Sequence, residues 1–302
     1  MRVLIFDLLA ERSEFGHGGN IEMIKPLTKN YSELEVFLIT PQYEDFNNSS
    51  KKNLELELGS RKNLPYWDES IQFKSSFTES VGAALVNFHR IKTPVGSINE
   101  LSEWIEKNEI SCVFCSGSRR NVSEPEFWMT PSKNLILASI MSKKPFLGIC
   151  FGHQLLSDTL GCHVVRSSNR TDAIYNLELT ELGKKDPLFK NLLNEGLGPV
   201  TLFTHQDHVI KINNEFETRL ELLGTSPHCE NAAVRARDND GFLPVWGVQF
   251  HPEASKSRIQ RSYELGHISL EEKESFNREH DGAKILENFS LEVFRMNNLS
   301  LK

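Results

Sequence analysis

Apolar residues fall along this chain in short blocks separated by amphipathic stretches, and the spacing inside each block predicts an element. Residues 2–9 form a β-compatible run, expected as the first strand of a parallel sheet. The glycine-rich stretch 13–20 reads as a loop, 21–29 as a helix and 34–39 as a second strand, ended by Pro41. Between 42 and 94 the pattern loosens: 47–53 is polar and turn-like, 63–68 is a break, and Val81, Leu85 and Phe88 predict a helix over 77–88. Residues 98–107 place Leu101, Trp104 and Ile105 on one helical face, 110–115 is the next buried strand, and 126–141 is a helix broken at Thr130-Pro131-Ser132. Further on, 174–179, 200–203, 221–226 and 232–236 read as strands of an antiparallel region, with Asp238-Asn239-Asp240-Gly241 as a hairpin turn. Alternating strands and helices imply an α/β fold: an open, mostly parallel sheet with flanking helices, whose ligands sit outside the C-terminal strand ends.

Two junctions carry candidate chemistry. The run 146–149 arrives like a buried strand, Cys150 follows, and Gly152 permits a sharp turn into a helix starting near His153. A cysteine there sits over the positive end of a helix, where a thiolate is favoured, and the N–H of Phe151 can donate to an oxyanion. Taken alone, the glycine-flanked cysteine fits a buried structural thiol equally well. The second junction, 243–253, is an apolar strand that delivers His251 and, two residues on, Glu253. Cysteine, histidine and an orienting acid are the groups needed to make and break a thioester.

Gly148-Ile149-Cys150-Phe151-Gly152-His153-Gln154 together with Gln249-Phe250-His251-Pro252-Glu253 resembles the paired signatures of the class I glutamine amidotransferases with a triad-type glutaminase domain. Thr204-His205-Gln206-Asp207-His208-Val209 and Ser168-Asn169-Arg170 followed by Tyr175 are similar to segments of the GMP-synthase-like branch. The resemblance implies a flavodoxin-like amidotransferase fold and a catalytic set of Cys150, His251 and Glu253. It places the oxyanion hole at Gly117, Ser118 and Phe151, with Ser118 and Arg119 where the family usually has glycine and proline. It implies glutamine contacts from Gln154 and from the backbone of His205, Gln206 and Asp207. His153 is expected in packing.

By the same resemblance the chain is expected as a single glutaminase domain over 1–302, with insertions at about 42–94 and 256–281, closed by a helix from Gly282. The first insertion is surface decoration or, given Tyr66, Trp67, Phe73 and Phe77, a lid. The second, charge-dense and including Arg258 and Arg261, is a solvated excursion or a gate. Glutamine is the implied substrate, and no cofactor or metal is implied. No Gly-rich loop and lysine of an ATP-binding synthetase is visible, so a separate ATP-dependent synthetase is expected to receive the ammonia. A free-standing γ-glutamyl hydrolase or peptidase and a non-catalytic relative that binds glutamine stay open.

Composition narrows the partners. Net charge is −7, and no block of like charge forms the basic patch a nucleic-acid binder needs. No apolar stretch approaches a membrane span and 1–7 reads as a strand, so a cytoplasmic protein without membrane or nucleic-acid partners is expected. Five cysteines argue against a disulfide framework. Cys112 and Cys115 lie in one strand with their sulfurs on opposite faces, which favours core over redox function. His205, Asp207 and His208 have no further partner at metal-ligand spacing. Arg119 and Arg120 read as anion ligands or as two solvated arginines.

Overall fold

A computed structural model of the chain describes residues 1–12, 14–46, 52–59, 75–193, 196–212, 217–276 and 278–299. The strands are β1 (Arg2–Phe6), β2 (Glu33–Ile39), β3 (Ser76–Val81), β4 (Ala84–Arg90), β5 (Ile110–Cys115), β6 (Phe146–Ile149), β7 (His163–Asn176), β8 (Glu178–Leu179), β9 (Val200–Lys211), β10 (Arg219–Ser226), β11 (Cys229–Arg237) and β12 (Phe242–Val248). The helices are α1 (Glu14–Ile24), α2 (Ile98–Lys107), α3 (Met129–Met141), α4 (Phe151–Thr159), α5 (Lys256–Glu264), α6 (Leu270–Ser275) and α7 (Gly282–Leu299).

Ten strands form one sheet in the order β3-β4-β2-β1-β5-β6-β12-β11-β10-β8. From β4 to β12 the neighbours run parallel, and the two flanks are antiparallel. β7 and β9 pair separately as a long ribbon. The near-continuous apolar runs follow from burial on both faces. Val3 and Ile5 of β1 point to a core that includes Met23 of α1 and Phe289 of α7, while Leu4 and Phe6 point to one that includes Leu101 and Trp104 of α2, Leu135 of α3 and Leu155 of α4. Cys112 and Cys115 divide between these two cores, as the strand alternation requires. At the start of α2, Ser97 and Glu100 form a reciprocal capping box, an arrangement whose loss costs about 1 kcal/mol.

Three elements differ from the sequence expectation. Residues 77–88 are not helical: β3 and β4 form a hairpin, and β4 continues the parallel sheet beside β2. Apolar positions separated by three and four fit a helix, but Phe77, Val86 and Phe88 also satisfy strand alternation, and the open sheet edge decides between them. Residues 14–20 are helical rather than a loop; α1 begins at Glu14 and buries Gly16 and Gly19 in close packing, then gives way at Lys25 to a 3-10 turn. Pro131 does not break α3, because it lies in the first turn, where a missing N–H is not needed. Of the aromatics considered for a lid, Tyr66, Trp67 and Phe73 lie outside the described residues, and Phe77 is buried in the core.

Candidate functional site

The C-terminal ends of β5, β6 and β12, adjacent in the sheet, deliver Ser118, Cys150 and His251 to one cavity of about 320 Å3. Cys150 has φ 50° and ψ −102°, a conformation L-residues rarely adopt, and is the N-cap of α4. Its N–H is tied to the carbonyl of Val248 at 2.8 Å, which pins the elbow to β12. Gly152 is obligatory: a Cβ there would stand 2.1 Å from the carbonyl oxygen of Cys115. The strain thus serves to project the sulfur at a helix N-terminus, where backbone N–H groups and the helix dipole favour a negative charge.

His251 is anchored by its N–H to the carbonyl of Leu202 at 2.8 Å, and its Nδ1 meets Glu253 Oε1 at 2.8 Å. That bond fixes the tautomer and leaves Nε2 without a hydrogen-bond partner among the described residues. Burial works against a charged imidazole, yet the Glu253 carboxylate, and after it the Cys150 sulfur, outweigh burial and raise the His251 pKa well above the ordinary histidine value. Burial likewise opposes ionisation of Glu253, but His251 and then Arg258 bring its pKa below the usual carboxylate value. The geometry therefore favours an imidazolium backed by the Glu253 carboxylate, in the same cavity as the sulfur.

Gly117 crosses directly over the ring, where a Cβ would approach His251 Cε1 to 2.8 Å. Its loop is held by Ser116 Oγ, which accepts from the N–H of Leu8 at 3.0 Å, and by Ser118 Oγ, which accepts from the N–H of Arg120 at 3.1 Å. The serine that replaces a glycine thereby ties down its own loop. Ser118 and Phe151 both line the cavity, and Phe151 stacks on Trp128 at 5.6 Å between centroids.

Gln154 reaches back as its position one turn into α4 suggests, donating to the carbonyl of Asp207 at 2.6 Å and to Gln249 Oε1 at 3.1 Å. His205 donates through Nδ1 to the same Asp207 carbonyl at 3.0 Å, and burial pulls its pKa down to about 4. Asp207 accepts the N–H of Ser123 at 2.9 Å, and Gln206 donates to the carbonyl of Ser167 at 3.0 Å. Gln154, His205, Gln206 and Asp207 all line the cavity with the cysteine and the histidine. His153 stays apart, fully buried, its pKa pulled down to about 3 by that burial. Among the described residues no cluster of three or more His, Cys, Asp and Glu side chains is placed to hold a metal ion.

Two contributors carried no role in the sequence reading. Gln249 is fully buried and donates through Nε2 to Cys150 Sγ at 3.5 Å, so a chain of amides links Gln154 to the sulfur. Its place two residues before His251, on the same side of the extended chain, was the available signal. Arg258, from the charge-dense insertion, is buried rather than solvated: it donates to the carbonyl of Phe15 at 2.6 Å and that of Glu253 at 3.3 Å, and lies 4.4 Å over the Phe15 ring. Ile259, Ile268 and Phe276 from the same segment complete one cavity wall.

The family profile for glutamine amidotransferase class-I matches residues 69–264, more than half of the chain. The chain belongs to the class I glutamine amidotransferases. Among curated relatives of this amidotransferase, a subunit of the glutamine-hydrolyzing GMP synthase of Methanothermobacter thermautotrophicus is 36% identical over 116 residues, covering 38% of this chain and 54% of that protein. The corresponding protein of Methanococcus aeolicus is 30% identical over 155 residues, covering 51% and 71%. The first match thus spans about half of its relative's length. In fold, the chain resembles the glutaminase domain of Trypanosoma brucei CTPS, with a TM-score of 0.52 over 97% of this chain and 93% of that one at 13% identity.

Proposed function

We propose that this amidotransferase is a glutaminase subunit that hydrolyses glutamine to glutamate and passes the ammonia to a separate ATP-dependent synthetase. The observation that carries the reading is the meeting of Cys150, His251 and Glu253 in one cavity, beneath a glycine that leaves room for nothing larger. Relatives named as one subunit of a glutamine-hydrolyzing GMP synthase favour it over a free-standing γ-glutamyl hydrolase. The whole chain acts as one glutaminase domain with its two insertions, in the cytoplasm; no described helix is long and apolar enough to cross a membrane.

In this reaction the Cys150 thiolate attacks the γ-carbonyl carbon, and the carbonyl π electrons move to oxygen. Phe151 N–H and the Gly117–Ser118 loop hold that oxyanion, a contribution worth a few kcal/mol of barrier per donor. His251 gives its proton to the departing nitrogen, the C–N bond breaks, and ammonia leaves a γ-glutamyl thioester. The neutral imidazole then takes a proton from water, whose oxygen attacks the thioester; the C–S bond breaks to give glutamate and regenerate the thiolate–imidazolium pair. Glu253 keeps the ring aligned throughout, and Gln154 with the 205–207 backbone seats the amino acid.

The test is glutamate release from glutamine by the purified protein, with Cys150→Ala as control, and labelling of Cys150 by a glutamine analogue bearing a γ-chloroketone. Cys150-dependent release or labelling supports the reading. A protein that neither releases glutamate nor takes the label overturns it.

A further inference from the structure

The chain is acidic overall, at −7, yet the cavity lining includes Arg12, Arg119, Arg120, Arg166, Arg170 and Arg258. Four of these have local partners. Arg120 faces Glu126 at 3.7 Å, Arg166 pairs with Glu124 at 3.2 Å, Arg170 with Asp172 at 2.9 Å, and Arg258 spends its donors on backbone carbonyls. Arg12 and Arg119 are different: neither has an ion-pair partner among the described residues. Arg12 follows β1 and Arg119 follows β5, neighbouring strands, and both line the cavity that holds Cys150.

The pair is under electrostatic stress. Arg12 Nε is buried and has no hydrogen-bond partner among the described residues. Burial first, and then the like charge of Arg119, pull the Arg12 pKa down. His267 opposite is disfavoured as a cation by burial and then by the same two arginines. Glu11 and Glu272 are the acids that act favourably on Arg12, and neither closes an ion pair with it. Two repelling cations held beside a desolvated donor, in a cavity shared with a cysteine nucleophile, form a receptor for a fork-binding anion.

We propose that Arg12 and Arg119 form an oxyanion subsite at the mouth of the glutaminase cavity, which binds a carboxylate or phosphate group next to Cys150. The proposal rests on the glutaminase reading for its biological sense but not for its test. The oxyanion has two sources, the substrate's own carboxylate or a second anionic ligand that tunes the enzyme, and the guanidinium chemistry is common to both.

The experiment follows alkylation of Cys150 in the full-length protein by mass spectrometry, comparing iodoacetate with iodoacetamide, with and without inorganic phosphate. Arg12→Gln and Arg119→Gln should each lower the iodoacetate-to-iodoacetamide rate ratio by about tenfold, the scale of one lost charge-assisted hydrogen bond, and should abolish protection by phosphate. Arg119→Lys should restore part of the ratio, and Arg295→Gln, on α7 and paired with Glu292, should change neither reading. Arg119 is exposed, so its variants keep the test readable even where Arg12→Gln disturbs folding. An unchanged ratio in both glutamine variants, or phosphate protection that survives them, overturns the subsite. A second arm measures KM for glutamine and for its α-methyl ester: a rise confined to glutamine in the variants assigns the subsite to the substrate carboxylate, whereas unchanged KM with lost phosphate protection assigns it to a separate anion. If glutamine is not turned over at all, the alkylation ratio still decides the subsite, and only the glutaminase reading falls.

Discussion

The two walls of the cavity are built on opposite principles. On the sheet side, Cys150, His251 and Gly117 hang from the ends of parallel strands, and each is fixed by a backbone hydrogen bond or by the lack of space for a Cβ. On the outer side, the loop arginines and the segment from α5 to α6 face the same space from short elements, with like charges left unmatched. The sheet wall is over-determined and suits chemistry that tolerates no displacement, whereas the outer wall is free to differ in charge and size and suits the choice of ligand.

Substitutions can break that division. Cys150→Ala should remove the reaction itself, lowering glutamate release by about 10⁴ or more, with urea stability little changed. If substantial release survives, the sulfur is not the nucleophile. Gly117→Ala sets a methyl group against His251 Cε1 and should lower kcat by roughly 10²–10³, since ring and oxyanion loop are displaced together. A kcat close to wild type there would show the sheet wall to be more yielding than its spacing suggests.

Glu253→Gln separates orientation from charge. It should lower kcat by about 10² or more, as the imidazole loses its partner, and should lower the His251 pKa, read by NMR of the ring. The stability consequence has a definite sign. The His251 pKa is raised on folding, so its contribution is complete below the unfolded value and fades as pH rises through the folded one. The Glu253 pKa is lowered, so its contribution is present above the unfolded value and fades as pH falls through the folded one. The gap in urea midpoint between wild type and Glu253→Gln should therefore be widest between those limits; a gap independent of pH would contradict the ion pair.

Gln249→Leu probes the amide chain and should slow Cys150 alkylation and kcat by about tenfold, the worth of one hydrogen bond to a charged group. Glutamine KM should move less, and the reverse pattern would place Gln249 in substrate binding. Arg258→Met is the mildest of the set, because Met retains bulk over Phe15: a stability loss of about 1–3 kcal/mol with kcat within a few-fold would keep it on the outer wall. A collapse of kcat would move it to the sheet wall.

The sheet wall was also the more legible of the two from sequence. Strands buried on both faces leave unbroken apolar runs, and the glycine-flanked cysteine, ambiguous alone, gained its meaning from the second junction; Gly148-Ile149-Cys150-Phe151-Gly152 and Gln249-Phe250-His251-Pro252-Glu253 were legible as a pair. The outer wall was misjudged where charge was equated with solvation. Arg258 sits among charged neighbours in the chain, but its guanidinium is spent on backbone carbonyls and an aromatic face that only the fold brings near. The 77–88 stretch failed for another reason: local spacing served helix and strand alike, and the choice was made by β2, more than forty residues away. Gln249 was visible within its motif, yet its contact with the sulfur depends on β6 and β12 lying side by side.

The position of β12 also sets the order in which the site can exist during synthesis. This strand lies between β6, made far earlier, and β11, made just before it. A nascent chain that has exposed Cys150 has no base to pair with it and no strand to seal that flank of β6, whose pairing must wait for distant sequence. The sulfur therefore waits on the ribosome without its base, and the arrival of one strand supplies both the pairing and the imidazole.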